Sequence, residues 1–292
     1  VLGVPPDWIL CGNGSDEILT LATRAFVGEG ELLRLPYPSY ILYKTLAEIQ
    51  GARSEEIRFR DDWSLGADFT ADAAGLKLAF LPNPNSPSGT LIAPEQVLEL
   101  ARRLPCPLIV DEAYAEFSKR QSSATLLPGR PRLIVTRTMS KAFAFAGARV
   151  GYFAADPAVV EAVQRVRLPY HLSAITQAAA RGALAHSTEL LSAVDDLKVQ
   201  RDRIVDACKE MGLRVADSDA NFVLFGGFAD QAAVWQRLLD AGVLVRDVGL
   251  PGWLRVTAGT PSETSTFLSA LSAIASEPGA VIAATNVGQE ST

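Results

Sequence analysis

Histidine is nearly missing from this 292-residue chain, with two copies, and the three cysteines (Cys11, Cys106, Cys208) lie far apart with no C-x-x-C pair. No metal-ligand spacing results, and the thiols read as free groups in a reducing cytoplasm rather than as a disulfide framework. Long hydrophobic runs are also lacking. Although 48% of the residues are apolar, the longest apolar stretches are much shorter than the ~20 residues of a membrane span. No Lys/Arg run forms a basic tract, and a formal charge of −6 argues against nucleic acid or an anionic membrane as partner. There is no internal repeat. No charged-then-apolar leader opens the chain, so export is not expected. An initiator methionine is missing too: "VLGVPPDWILCGNGSDE" runs almost at once into a strand-like segment, and Val1 is expected to lie inside a longer protein or a truncated gene.

What is present is an alternation of short apolar runs with helical patterns. "KLAFLPNP" (77–84), "PLIVDEAY" (107–114), "RLIVTRT" (132–138) and "ARVGYFAA" (148–155) have the continuous Val/Ile/Leu/Phe character of strands buried on both faces of a mostly parallel sheet. Between two of them, "PEQVLELARRL" (94–104) has the apolar spacing of a crossover helix, with Pro94 in the first turn. These features predict an α/β fold with a mostly parallel central sheet and flanking helices over residues 1–172. From about 170 the texture changes to a long helical region (188–212) followed by short strands and helices. Residues 173–276 are therefore expected to be an interdomain helix and a smaller C-terminal α+β domain. Thr260-Pro261-Ser262-Glu263 has the form of a capping box for its last helix. The tail, 277–292, has no periodic pattern and is expected to fray.

Several stretches carry chemistry. Lys141, in "TRTMSKAFAFAGARVGY", stands among small and apolar neighbours that suit a solvated ammonium poorly. In "CGNGSDEILTLATRAF", a glycine-containing turn feeds an amphipathic helix, which leaves backbone N–H groups aimed outward at the positive end of the helix dipole, as a phosphate requires. Ser15 or Asp16 could equally be no more than that helix's N-cap. Asp111 and Glu112 close an apolar run, where the substrate-facing residues of α/β sheets sit and where a carboxylate needs a cationic partner. "LPNPNSPSG" (81–89) is another strand end, and "PYPSYILY" offers Tyr37, Tyr40 and Tyr43.

The order G-N-G-S-D-E, P-S-Y-x-x-Y, N-P-N-x-P-S-G, D-E-A-Y, S-K-A-F-x-x-A-G-x-R-x-G-Y and L-R-V-T-x-G-T, spanning residues 12 to 260, resembles that of the fold-type I aminotransferases that use pyridoxal phosphate. Within these it looks most like the histidinol-phosphate aminotransferases. The resemblance implies that Lys141 is the Schiff-base lysine, Asp111 the partner of the cofactor's ring nitrogen, Tyr40 the aromatic stacked on the ring, and Tyr114 a donor to its phenolic oxygen. It implies a phosphate cup made of the Ser15 and Asp16 amides, with Glu17 in the same motif, the hydroxyls of Thr138 and Ser140, and the guanidinium of Arg149. One position departs from the family's usual N-P-N-N-P-T-G: Ser86 stands where an asparagine normally bonds the phenolic oxygen, so either Ser86 or Asn85 makes that contact. Arg255 matches the arginine that grips the substrate's anionic group, and Arg246 the branch's second anion-binding arginine. Neither histidine looks catalytic.

The implied activity is transamination between a phosphorylated amino alcohol, L-histidinol phosphate, and 2-oxoglutarate, giving imidazole-acetol phosphate and glutamate in histidine biosynthesis, by a cytoplasmic homodimer. Threonine-phosphate decarboxylation, another small aminotransferase such as an aromatic one, and a cofactor-binding sensor without turnover are the alternatives. Relatives begin with an arm bearing an N-E-N-P motif and a tyrosine that reaches the partner's cofactor phosphate. The sequence contains neither, and such a chain is expected to turn over poorly and dimerise less firmly.

Overall fold

The computed structural model describes residues 2–277 and 279; the expectation of a frayed tail falls almost wholly outside them. Two compact units are present, one running through Ser86 and from Thr90 to Ala193, the other comprising Pro87–Gly89 and the chain from Val194. No helix among the described residues is long and apolar enough to cross a membrane.

The first unit contains β1 (Ile9–Asn13), α1 (Gly14–Phe26), β2 (Leu32–Tyr37), α2 (Leu42–Ile49), β3 (Arg53–Arg58), β4 (Leu76–Pro82), α3 (Pro94–Arg103), β5 (Leu108–Asp111), β6 (Leu133–Thr138), β7 (Val150–Ala154), α4 (Pro157–Val166) and α5 (Ala174–Ala185). Its seven strands form one sheet in the order β1-β7-β6-β5-β4-β2-β3. β3, β2, β4, β5 and β6 run parallel, whereas β7 is antiparallel to both β6 and β1. The four apolar runs singled out in the sequence are β4 to β7. The more polar β3 reads poorly as a strand because it lies at the sheet edge with its residues half-exposed.

Alternate residues of the central strands feed two cores. Leu78, Phe80, Ile109, Ile134 and Phe153 pack with Ile18 and Leu19 of α1, Tyr43 and Leu46 of α2 and Val160 of α4. Ala79, Leu81, Leu108, Val110, Leu133 and Val135 face the other way, with Val97 of α3 and Leu127. A period of two in side-chain direction is all this requires, and it also decides where the polar residues at the strand ends point. α5, placed by sequence with the C-terminal part, belongs to the first unit because it lies against the turn at Ala146–Ala148.

α6 (Ser187–Glu210) begins in the first unit and continues into the second. The second unit holds β8 (Arg214–Val215), β9 (Phe222–Gly226), α7 (Gln231–Asp240), β10 (Arg246–Asp247), β11 (Trp253–Thr257) and α8 (Pro261–Ala275). Its sheet is antiparallel, in the order β10-β11-β9-β8. The run "VLVRDV" shrinks to the two residues of β10, because only Arg246 and Asp247 pair with β11. α8 opens with the expected capping box: Thr260 Oγ1 accepts from the Glu263 amide at 3.3 Å, and Glu263 Oε2 accepts from the Thr260 amide at 2.7 Å.

Within the first unit the most deeply buried cation is Arg34 on β2. It donates to Glu55 Oε2 at 2.7 Å, to the Phe69 carbonyl at 3.0 Å and to the Ala71 carbonyl at 2.6 Å. Arg34→Ala should lower the unfolding free energy by about 2–4 kcal/mol, since buried carbonyls lose a charged donor. Glu55→Gln, at a partly exposed partner, should cost under about 1 kcal/mol. Urea unfolding of the two variants checks the asymmetry; equal costs would contradict it.

Candidate active site at the carboxyl ends of the central strands

β5 delivers Leu108, Ile109, Val110 and Asp111 alternately to the two faces, so Asp111 must follow Ile109 onto the side covered by α1 and α2. Across the ladder, Asp111 pairs with Thr136 and Ile109 with Ile134, which puts Thr136 on that same side. Asp111 is accordingly buried, with Tyr43 Oη donating to its Oδ2 at 2.7 Å and Thr136 Oγ1 donating to Oδ1 at 3.0 Å. Burial pushes its carboxyl up from the ordinary carboxylate value, and the two hydroxyls and the Ala113 amide oppose that rise. The sequence predicts a cation here; the structure supplies hydroxyls instead, because α2 lays the second tyrosine of P-S-Y-x-x-Y over the strand end. Tyr43 was not singled out as a site residue, although its i,i+3 relation to Tyr40 was a legible signal.

The cation expected for the strand end is found one residue further on and on the opposite face. Glu112 is buried and accepts from Arg137 Nε at 2.8 Å, from Ser122 Oγ at 2.6 Å and from the Ser123 amide at 2.5 Å. Arg137 also donates to Glu116 Oε1 at 2.7 Å. Thr136 and Thr138 thus flank an arginine that faces away from them, and the T-R-T stretch ties the ends of β5 and β6 together on both sides of the sheet.

The first turn of α1 lies alongside. Asn13 occupies the N-cap position without a side-chain cap bond, so neither Ser15 nor Asp16 serves as the cap. Glu17 bends back so that its Oε2 accepts from the Asn13 amide at 2.7 Å, which makes it the brace of the turn; a carboxylate has no proton with which to bind an anion. Gly14 has φ +81°, and a Cβ there would stand 2.5 Å from Arg149 Nη2. A Cβ on Gly151 would collide with the Ser15 amide nitrogen and the Gly14 carbonyl carbon. The two glycines therefore let β7 and α1 approach until the outward amides of Ser15 and Asp16 sit beside Arg149.

Arg149, itself left-handed at φ 53°, places Nη2 3.2 Å from Asp16 Oδ2. Tyr40 Oη donates to the other carboxylate oxygen at 3.3 Å. The rings of Tyr40 and Tyr43 meet edge to face at 5.7 Å. Burial, then the Asp16 carboxylate, pushes the Tyr40 hydroxyl up to about 12. Just beyond β6, Thr138 Oγ1 donates to Ser140 Oγ at 2.9 Å and accepts from the Ser140 amide at 3.1 Å. Two hydroxyls, helix amides and a guanidinium thus collect at one end of the sheet, although the sequence segments that carry them are more than a hundred residues apart.

Lys141 follows directly, with Nζ over the Tyr114 ring at 5.6 Å from its centroid. Its exposure differs from the sequence expectation of an unsolvated lysine, because residues 139–148 leave the sheet as a turn-rich loop. Asn85 is buried and donates to the Pro38 carbonyl at 3.2 Å, while Ser86 is half-buried. His171 accounts for itself structurally: its Nε2 lies 2.9 Å from the Cys11 carbonyl.

In the second unit, Arg246 and Arg255 are direct cross-strand partners on β10 and β11. Opposed residues of an antiparallel pair share a face, with Cβ atoms about 4.5–5.5 Å apart, and like charges in that relation repel. Arg255 packs its guanidinium over the Phe222 ring at 4.5 Å, which fixes its direction.

Comparison with known proteins gives a consistent result. The model of the aminotransferase class I and II family matches residues 4–271. The histidinol-phosphate aminotransferase of Frankia casuarinae is 52% identical over 278 residues, covering 92% of this chain and 70% of that protein. That of Paenarthrobacter aurescens is 52% identical over 283 residues, covering 93% of this chain and 75% of its own. Among solved structures, the histidinol-phosphate aminotransferase from Sinorhizobium meliloti in complex with pyridoxal-5'-phosphate superposes with a TM-score of 0.82 at 28% identity, covering 94% of this chain and 78% of that one.

Two outcomes follow from the geometry. Gly151→Ala should push β7 from the first turn of α1, costing several kcal/mol and exposing the Ser15 and Asp16 amides to faster hydrogen exchange; unchanged exchange would contradict the close approach. The second concerns pH. The folded chain holds the Asp111 proton to higher pH than the unfolded chain, so the stability this group contributes in acid is lost as pH rises through its folded-state value. Asp111→Asn in the cofactor-free protein should therefore gain stability relative to the parent between about pH 4 and neutrality. Urea unfolding across that range checks the sign, and a constant difference would contradict it.

Proposed function

The chain belongs to the aminotransferase class I and II family, and on that footing we propose that it moves an amino group between L-histidinol phosphate and 2-oxoglutarate with pyridoxal 5'-phosphate as cofactor. The names of its relatives at 52% identity support this substrate. The observation in this chain that carries it is the cross-strand pair Arg246 and Arg255. The pair gathers two positive charges at one place in the sheet, and a phosphomonoester dianion or the distal carboxylate of glutamate would take bidentate bonds from such guanidiniums.

The residues at the strand ends fit the cofactor. The uncapped first turn of α1, the clearance left by Gly14 and Gly151, the hydroxyls of Thr138 and Ser140 and the Arg149 guanidinium have the donor character that a phosphate dianion requires. When bound, the cofactor supplies a ring that takes up the charge left as the substrate's Cα loses its proton. Asp111 would hold the proton on the ring nitrogen, and Tyr40 would lie against the ring. Tyr114, with Asn85 or Ser86, would donate to the phenolic oxygen. Lys141 would anchor the cofactor covalently and, once displaced by the substrate's amine, carry the Cα proton; its high local concentration supplies much of the rate.

The protein is proposed to act as a cytoplasmic homodimer. Leu168, Tyr170, Ile175 and Leu184, on and just before α5, expose an apolar surface that a second copy would cover, and three free thiols suit a reducing compartment.

Lys141→Ala should abolish amino transfer while leaving the fold intact. Arg149→Ala should weaken cofactor binding by roughly tenfold to a hundredfold, the worth of one charged hydrogen bond. Arg246→Ala should raise KM for histidinol phosphate far more than it changes the reaction of an amino donor with no phosphate. The proposal fails if histidinol phosphate is not a substrate while an unphosphorylated amino acid is turned over readily.

A further inference from the structure

We propose that Tyr43 is a positioning residue of this site: with Thr136, its hydroxyl fixes the orientation of Asp111 and favours its anionic form for the ring nitrogen it is to hold. The inference rests on the role assigned to Asp111 above and extends it to a residue one layer away.

The geometry is specific. Each carboxylate oxygen of Asp111 receives one hydroxyl, Tyr43 Oη on Oδ2 at 2.7 Å and Thr136 Oγ1 on Oδ1 at 3.0 Å. The Ala113 amide donates to the same carboxylate, whose roughly four lone-pair sites still leave room for an incoming N–H. The two donors come from different elements, α2 and β6, so they fix the plane of the carboxylate as well as its position. Tyr43 cannot drift: it is fully buried, stacks on Phe80 with centroids 4.6 Å apart and planes at 16°, and meets Tyr40 edge-on.

A buried carboxylate without such donors would hold its proton and lose the negative charge on which its role depends. The ionisable groups facing Asp111 offer little other help. Asp16 of α1 opposes its ionisation, and the Tyr40 and Tyr43 hydroxyls are pushed up and stay protonated. The Arg149 charge is taken up by Asp16. Burial, followed by the Asp111 charge, drives the Tyr43 hydroxyl well above the ordinary tyrosine value, so it remains a donor throughout the working pH range.

The test is Tyr43→Phe, which keeps the stack on Phe80 and removes only the hydroxyl. In the full chain freed of cofactor, the Asp111 carboxyl is followed by carbon-13 NMR, its signal identified by its loss in Asp111→Asn. Tyr43→Phe should raise its titration midpoint by about one pH unit, a tenfold change in proton affinity. Thr136→Val, which removes the other donor, should move it in the same direction. In the loaded enzyme, Tyr43→Phe should lower kcat about tenfold with little change in KM for the amino donor, the signature of a lost transition-state interaction. An unchanged midpoint in both variants overturns the proposal whatever the activity. A raised midpoint alongside a fully active Asp111→Asn leaves the hydroxyl clamp standing but overturns the assignment of Asp111, and with it the reason for the clamp.

Discussion

A carboxylate buried at the end of a parallel strand is the constraint around which the first unit is arranged. Asp111 is costly where it stands, and hydroxyls rather than a neutralising charge offset part of that cost. An arginine in contact would form an internal ion pair and leave no net negative charge to hold a proton on a neighbouring ring. Two neutral donors stabilise the anion without cancelling it. The strong cation of this region, Arg137, is kept on the other face of the sheet, where Glu112 and Glu116 occupy it. One pleat separates the two arrangements, and a one-residue slip of β5 against β6 would exchange them.

The same economy governs the end of the sheet where α1 begins. α1 presents its first-turn amides only because Gly14 and Gly151 leave room for β7 to come against it, and the segment leading out of β6 then brings Thr138, Ser140 and Arg149 to that turn. Asp16 and Tyr40 hold the guanidinium in place across a sequence separation no local pattern could reveal. In the second unit two arginines, Arg246 and Arg255, stand opposite each other across the short β10–β11 ladder.

Much of this was legible beforehand, for definite reasons. The four apolar runs became β4 to β7 because strands buried on both faces need continuous hydrophobicity, and the capping box opens α8 because its bonds are local. The motif order brought Asp111, Lys141, Arg149 and Arg255 to attention by type and spacing. Tyr43 as the partner of Asp111, and Arg137 as the partner of Glu112, are not legible in the sequence because each pairing depends on which face of a strand a residue takes, and that requires the register between β5 and β6. Lys141 is exposed because its small neighbours lie in a turn-rich loop, a setting that composition alone does not separate from a packed one. β3 escaped because an edge strand need not be apolar.

The central claim is that Asp111, oriented by two hydroxyls that favour its anion, keeps a proton on the ring nitrogen of the bound cofactor. The most direct measurement is nitrogen-15 NMR of the protein loaded with ring-labelled pyridoxal 5'-phosphate. The account predicts the chemical shift of a protonated ring nitrogen across neutral pH, moving toward the unprotonated shift in Asp111→Asn. An unprotonated ring nitrogen in the parent protein at neutral pH would contradict it.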